Sequence, residues 1–147
     1  MPRIGMTAIA FACGHNAGRS QMAAAFARAL APPGIKVVSG GVSPAREVNP
    51  VVVAAMAEKG IDISGERPRR LTPDEAASAD YLITMGCSPD EACPAGYRGD
   101  ARDWALSDPK GKPIEEVRKI RNEVEARVRA LVDEIRARNG HRGSKAA

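Results

Sequence analysis

The sequence predicts a single α/β domain, a parallel sheet of about four strands with helices on both faces. Its 147 residues suit one domain. Short apolar runs, of a length suited to buried parallel strands and too short for helices, alternate with stretches of helical period. No internal repeat or inter-domain linker interrupts that alternation.

Thr7–Ala12 (TAIAFA) is the first strand. Arg19–Ala31 carries Met22, Phe26 and Leu30 at steps of four, which gives a helix with one apolar face, and Pro32-Pro33-Gly34 stops it. Ile35–Ser39 is the second strand. Asn49-Pro50 sets a cap residue before a proline at the first helical position, so Val51–Lys59 is helical and Gly60 closes it. Thr72-Pro73-Asp74-Glu75 is a capping box opening a short helix to about Ala79, and Tyr81–Met85 is the third strand.

Gly86–Asp103 shows no clear period, and a loop this long inside a domain is usually functional. A brief fourth strand is expected at its end, before Trp104. In the last helix Ile114, Val117, Ile120, Val124, Val128, Leu131 and Ile135 step by three and four, with Pro113 at its start and Asn139-Gly140 as its expected stop. Its charged face reads as a solvated surface of i,i+4 pairs. Residues 1–140 make the domain, and His141–Ala147 reads as a disordered end.

Apolar residues are 44% of the chain and aromatic ones only 3%, so the core must be aliphatic. No run approaches the roughly 18 apolar residues of a membrane span, and no basic-then-apolar leader opens the chain. Three cysteines are an odd count, unlike a secreted disulfide scaffold. A cytoplasmic protein with free thiols, no membrane partner and no metal is expected. The net charge of +4 is local. Met1–Pro109 holds 11 basic against 12 acidic residues, while Lys110–Ala147 holds 11 against 6. That is weak support for nucleic acid binding, and an anion site would have to be built locally.

Such a place exists where the first strand ends, at Cys13-Gly14-His15-Asn16-Ala17-Gly18-Arg19-Ser20. Ligands of open α/β sheets bind at the carboxyl ends of strands. Successive backbone N–H groups in a tight loop form an anion nest, and the helix start adds unpaired N–H groups and a positive dipole end. Gly14, Ala17 and Gly18 leave room for a tetrahedral oxyanion. Asn16 suits a left-handed position, and Arg19 offers a planar fork of donors. Cys13 at the floor of this field is expected to react as thiolate, with Ser20 donating to it. His15 reads as a loop residue bonded to its neighbours.

This assembly resembles the low-molecular-weight protein tyrosine phosphatase superfamily and, within it, the thioredoxin-coupled arsenate reductases. The resemblance rests on Cys13–Ser20, Gln21-Met22-Ala23, Val38-Ser39-Gly40-Gly41, Gly60–Ser64, Tyr81–Met85 and Asp108-Pro109. It implies the superfamily's fold, Cys13 as nucleophile, Arg19 and the loop amides as oxyanion cradle, and Asp108 as general acid. By itself, Ser107-Asp108-Pro109 reads equally well as a turn or cap.

Phosphate ester hydrolysis needs only loop, acid and water, whereas arsenate reduction also needs electrons. The resemblance implies that Cys87 then attacks the sulfur of Cys13 and that Cys93 carries the disulfide outward, to a thioredoxin or similar dithiol partner. Lys110-Gly111-Lys112 follows Asp108-Pro109 where the phosphatases carry aromatic residues. Gly18 stands where they carry a second cysteine. Both differences favour a small inorganic oxyanion. Two others set the chain apart from the reductases: Ala24 stands where many have a glutamate linked in some to potassium, and Cys87 and Cys93 are separated by five residues rather than six. A third reading is a metal or metalloid sensor in which the thiols and His15 hold Zn²⁺; the spacing lacks the short paired intervals of a zinc site. Arg67-Pro68-Arg69-Arg70 reads as a solvated basic loop or a dock for an acidic partner, and Tyr97 and Trp104 as packing residues or substrate contacts.

Overall fold

In the computed structural model, residues 7–86 and 95–146 are described, with side chains as far as residue 138. Four parallel strands, β1 (Thr7–Cys13), β2 (Ile35–Gly41), β3 (Tyr81–Met85) and β4 (Asp100–Asp103), form one sheet in the order β2-β1-β3-β4. The helices are α1 (Arg19–Leu30), α2 (Pro50–Ala57), α3 (Pro73–Ser78) and α4 (Ile114–Ala146). No described helix is long and apolar enough to cross a membrane.

Period-two alternation sorts β1 between two cores. Ile9, Phe11 and Cys13 join the large cluster that includes Met22 and Phe26 of α1 and Val124, Val128 and Leu131 of α4. Ala10 faces the other way, into a small cluster with Ala79 and Leu82 beside α3. Helices therefore cover both faces, as the sequence predicts. Phe11 and Trp104 meet at 6.0 Å between ring centroids, so Trp104 is a core residue. Tyr97 likewise packs, donating its hydroxyl to Ala79 O at 2.7 Å.

The predicted caps are present. Asn49 accepts from Val51 N at 2.9 Å, and Thr72 and Glu75 exchange both bonds of the capping box. The brief fourth strand expected before Trp104 is present, and one element, the last helix, differs from expectation. Residues 100–103 (DARD) pair with β3 although none but alanine is apolar, because an edge strand needs only backbone bonds on one side. The last helix runs through Asn139-Gly140 to Ala146, past its expected stop. A glycine inside a helix costs only about 1 kcal/mol relative to alanine, so it ends a helix only where a left-handed turn follows.

The charged face of α4 does more than meet solvent. Arg127–Glu123, Arg129–Glu125 and Arg138–Glu134 are the expected i,i+4 pairs. Arg118 and Arg121, however, converge on Glu58 at 2.7 and 2.6 Å, and Arg121 also donates to Ala55 O at the end of α2. The guanidinium of Arg118, followed by that of Arg121, lowers the Glu58 carboxyl to about 2.

The strand order reverses at β1. The chain leaves β1 toward β2 and returns to add β3 on its other side, with Cys13 paired to Gly41 and to Met85. The carboxyl ends of all three strands thus open on one crevice, where ligands of such sheets bind.

Candidate active site

The loop from Cys13 to Ser20 fills that crevice. Its carbonyls are turned away and each is satisfied. Val42 N donates to Cys13 O, Ser43 N to Gly14 O, Ala45 N to His15 O and Asn49 N to Ala17 O, at 2.9–3.3 Å. Gln21 Nε2 donates to Asn16 O at 3.1 Å, and Met22 N takes Gly18 O as the first bond of α1. Across a trans peptide the C=O and the next N–H point in opposite directions. Six outward carbonyls therefore leave the following N–H groups aimed inward as a nest. The one closest to the thiol is Asn16 N, which donates to Cys13 Sγ at 3.1 Å.

Close approach of the 42–49 segment requires a glycine at Gly41, where a Cβ would lie 2.9 Å from Gly14 O and 3.0 Å from Asn16 N. Asn16 is the one non-glycine described residue with positive φ, 53°, and it is fully buried. Its side chain holds the turn together, donating to Ser20 Oγ at 2.7 Å and to Ser39 Oγ at 3.4 Å, while its Oδ1 accepts from Gln21 Nε2 and from Arg69 N. Because Ser20 Oγ accepts from Asn16, its own hydrogen is free to point at Cys13 Sγ, 2.8 Å away. Ser20 Oγ thus stands within hydrogen-bond distance of the sulfur it is expected to support.

Arg19 is half of a second anchor. Its Nη1 donates to Leu106 O at 2.9 Å, its Nη2 lies 3.8 Å from Asp108 Oδ2, and its guanidinium rests on Gly86. Gly86 has φ +77°, and any Cβ there would overlap the guanidinium. Asp108 is half-exposed and accepts from Lys110 N at 3.0 Å, which makes the local turn of its sequence reading, and it stands 3.8 Å from Arg19 Nη2. His15 is exposed and bonded through Nδ1 to Ser43 O at 3.1 Å, as a loop residue.

A cavity of about 380 Å³ opens above Cys13, walled by His15, Ala17, Gly18, Arg19, Ala45, Glu47, Asn49, Pro50, and Asp108 to Gly111. Among the described residues, no Phe, Tyr or Trp side chain lines it. Cys13, Arg19 and Asp108 are thus brought together. Cys87 and Cys93 lie outside the described residues.

Sequence reasoning missed three supports of the loop: Gln21, Ser39 and Arg69. Each stands in or beside a quoted motif; the contacts of Ser39 and Arg69 with Asn16 span 23 and 53 residues, which no local pattern encodes, while Gln21 reaches Asn16 from five residues on. Arg69 is also no free dock, since its guanidinium is bound to Ser39 O and Glu75.

Residues 8–141 match the family model described as low molecular weight phosphotyrosine protein phosphatase. The chain is 44% identical to "Putative arsenate reductase" of Halobacterium salinarum, over 88% of this chain and 93% of that one. It is 36% identical to the glutaredoxin arsenate reductase of Synechocystis sp., over 88% and 99% of the two chains. The thioredoxin-dependent arsenate reductase of Corynebacterium glutamicum superposes with a TM-score of 0.76 at 36% identity, over 90% of this chain and 63% of that one. The crevice at the reversal of strand order, the inward-facing loop and these likenesses together place the chain in the arsenate reductase family of the low molecular weight phosphotyrosine protein phosphatase superfamily.

Proposed function

We propose that this protein reduces arsenate to arsenite. The observation that carries the reading is a cysteine sulfur receiving Asn16 N–H and facing the Ser20 hydroxyl, at the floor of a cavity lined by Arg19 and Asp108, with no Phe, Tyr or Trp among its described walls. Relatives named as arsenate reductases support the choice of oxyanion.

The loop amides Gly14 to Arg19, with the Arg19 guanidinium, hold three oxygens of the oxyanion, and Ser20 steadies the thiolate of Cys13. The thiolate attacks arsenic, forming an S–As(V) bond. The departing oxygen leaves as water, protonated by Asp108. Cys87 attacks the Cys13 sulfur, the S–As bond breaks and its electron pair stays with arsenic, which leaves as arsenite. Cys93 attacks Cys87, freeing Cys13 and leaving a Cys87–Cys93 disulfide. A thioredoxin- or glutaredoxin-type dithiol reduces it, in a compartment such as the cytoplasm where dithiols are maintained. Gly86, the residue before Cys87, lies against Arg19, which supports an approach of that segment to the oxyanion site.

The runner-up is a phosphatase that forms a phosphocysteine at Cys13 and hydrolyses it with water. It uses the same cradle and acid, and the phosphotyrosine phosphatase family model favours it. One experiment separates the two. Reduced protein receives one equivalent of arsenate, and disulfides are mapped by mass spectrometry beside Cys87→Ser and Cys93→Ser. Arsenite release with a Cys87–Cys93 disulfide is expected, and Cys93→Ser should stop at Cys13–Cys87. An unchanged thiol count, with aryl phosphate hydrolysis intact in both variants, would favour the phosphatase.

A further inference from the structure

We infer that Glu75, a capping residue of α3, is a positioning residue for the Cys13 thiolate: through Arg69 it holds the Asn16 amide that frees the Ser20 hydroxyl for the sulfur. The inference rests on the reading of Cys13 as nucleophile.

The amide supports that hydroxyl in one orientation only. Its nitrogen must face Ser20 Oγ, and it does so because its oxygen is taken by donors. Asn16 Oδ1 accepts from Arg69 N at 3.0 Å and from Gln21 Nε2 at 3.1 Å, while Nδ2 donates to Ser20 Oγ at 2.7 Å. Gln21 lies in α1, the helix that the loop opens, and travels with it. Arg69 comes from another part of the chain, so its N–H is the donor that ties the amide to the rest of the fold.

Residue 69 belongs to no helix or strand, and its own bonds fix it. Its carbonyl accepts from Gly41 N at 2.8 Å, and its guanidinium spans two elements. Nη1 donates to Ser39 O of β2 at 2.8 Å, and Nη2 donates to both oxygens of Glu75 at 2.8 and 2.7 Å. Glu75 is held in turn, because its Oε1 accepts from Thr72 N at 3.0 Å and from Thr72 Oγ1 at 3.1 Å. An isolated exposed ion pair contributes little, but a planar fork engaged at both ends by fixed partners is the exception. Without the carboxylate the guanidinium keeps only Ser39 O, and a half-exposed arginine regains rotamer freedom. The sign of the effect is distinctive. A lost anion would by its field alone favour a thiolate, whereas a lost support for Asn16 disfavours it.

The test uses the full chain with Cys87→Ser and Cys93→Ser, so that iodoacetamide reads Cys13 alone. Glu75→Gln keeps a side chain that can accept from Thr72 N, so α3 stays capped while the ion pair is lost. Thr72→Ala does the reverse, weakening the cap and leaving the pair. Glu75→Gln should slow alkylation at pH 6 about threefold, the weight of a partly lost hydrogen bond, and leave the rate at pH 9 unchanged. Thr72→Ala should lower the urea midpoint and change neither rate. Arg69→Met should slow alkylation at least as much as Glu75→Gln, and adding Glu75→Gln to it should cost nothing further. An unchanged or faster rate at pH 6 in Glu75→Gln overturns the inference and leaves Cys13 as nucleophile. Equal slowing by Thr72→Ala, or a further loss in the double variant, overturns it as well. A parent protein that resists alkylation at pH 6 removes the nucleophile reading, and this inference with it.

Discussion

Asn16 Nδ2 donates to Ser20 Oγ at 2.7 Å, and this bond decides where the serine hydroxyl points. Ser20 Oγ, 2.8 Å from Cys13 Sγ, keeps its single hydrogen free for a thiolate there. A hydrogen bond to a charged partner is worth about 1.5–3 kcal/mol. Ser20→Ala in a Cys87→Ser/Cys93→Ser background should therefore slow iodoacetamide alkylation of Cys13 at pH 6 by roughly tenfold or more. Equal alkylation rates would mean that the hydroxyl does not support the thiolate.

Gly86 carries two constraints at once, a φ of +77° and a guanidinium in the place of any Cβ. Gly86→Ala should cost about 1–2 kcal/mol from the left-handed backbone alone. It should also push Arg19 from its place beside Asp108. Calorimetric titration with phosphate is expected to show affinity reduced by about tenfold, with a lower urea midpoint. Unchanged phosphate affinity would detach Gly86 from the oxyanion site.

Glu58 joins α2 to α4 through Arg118 and Arg121, and its folded carboxyl is lowered from 4.5 to about 2. A carboxylate lowered on folding contributes stability above its unfolded value and loses it as pH falls through its folded value. Glu58→Gln should thus lower the urea midpoint at pH 7. The difference from the parent should shrink between pH 4.5 and about 2 and vanish below. A gap that persists at pH 2 would point to packing rather than charge.

Leu131 of α4 is 2% exposed in the main core. Leu131→Ala should cost about 2–5 kcal/mol, through lost transfer energy and the cavity left behind. Denaturant unfolding measures it, and a cost below 1 kcal/mol would mean that the α4 stripe is not what closes the sheet face.

The elements that announce themselves locally were legible. The apolar runs of β1 and β3, the Met22–Phe26 face of α1, and the caps at Asn49 and Thr72 each depend on neighbours within a few residues. The brief strand before Trp104 was legible by its place alone, because an edge strand is held by backbone pairing to β3 and DARD shows no apolar signal. Arg118 and Arg121 read as solvated surface because their partner Glu58 is more than fifty residues away.

By itself, then, the sequence determined the α/β alternation, and it determined a Cys–Arg–Ser loop opening a helix, because strand length, helical period and small-residue loops are properties of adjacent residues. Tertiary structure alone decided that Gln21, Ser39 and Arg69 brace Asn16, and that Gly41 and Gly86 make room for the loop and for Arg19. Apart from Gln21, five residues from Asn16, these are contacts between segments far apart in the chain. They exist only once parallel strands bring their carboxyl ends to one crevice, and no periodicity along the chain records which atoms will meet there.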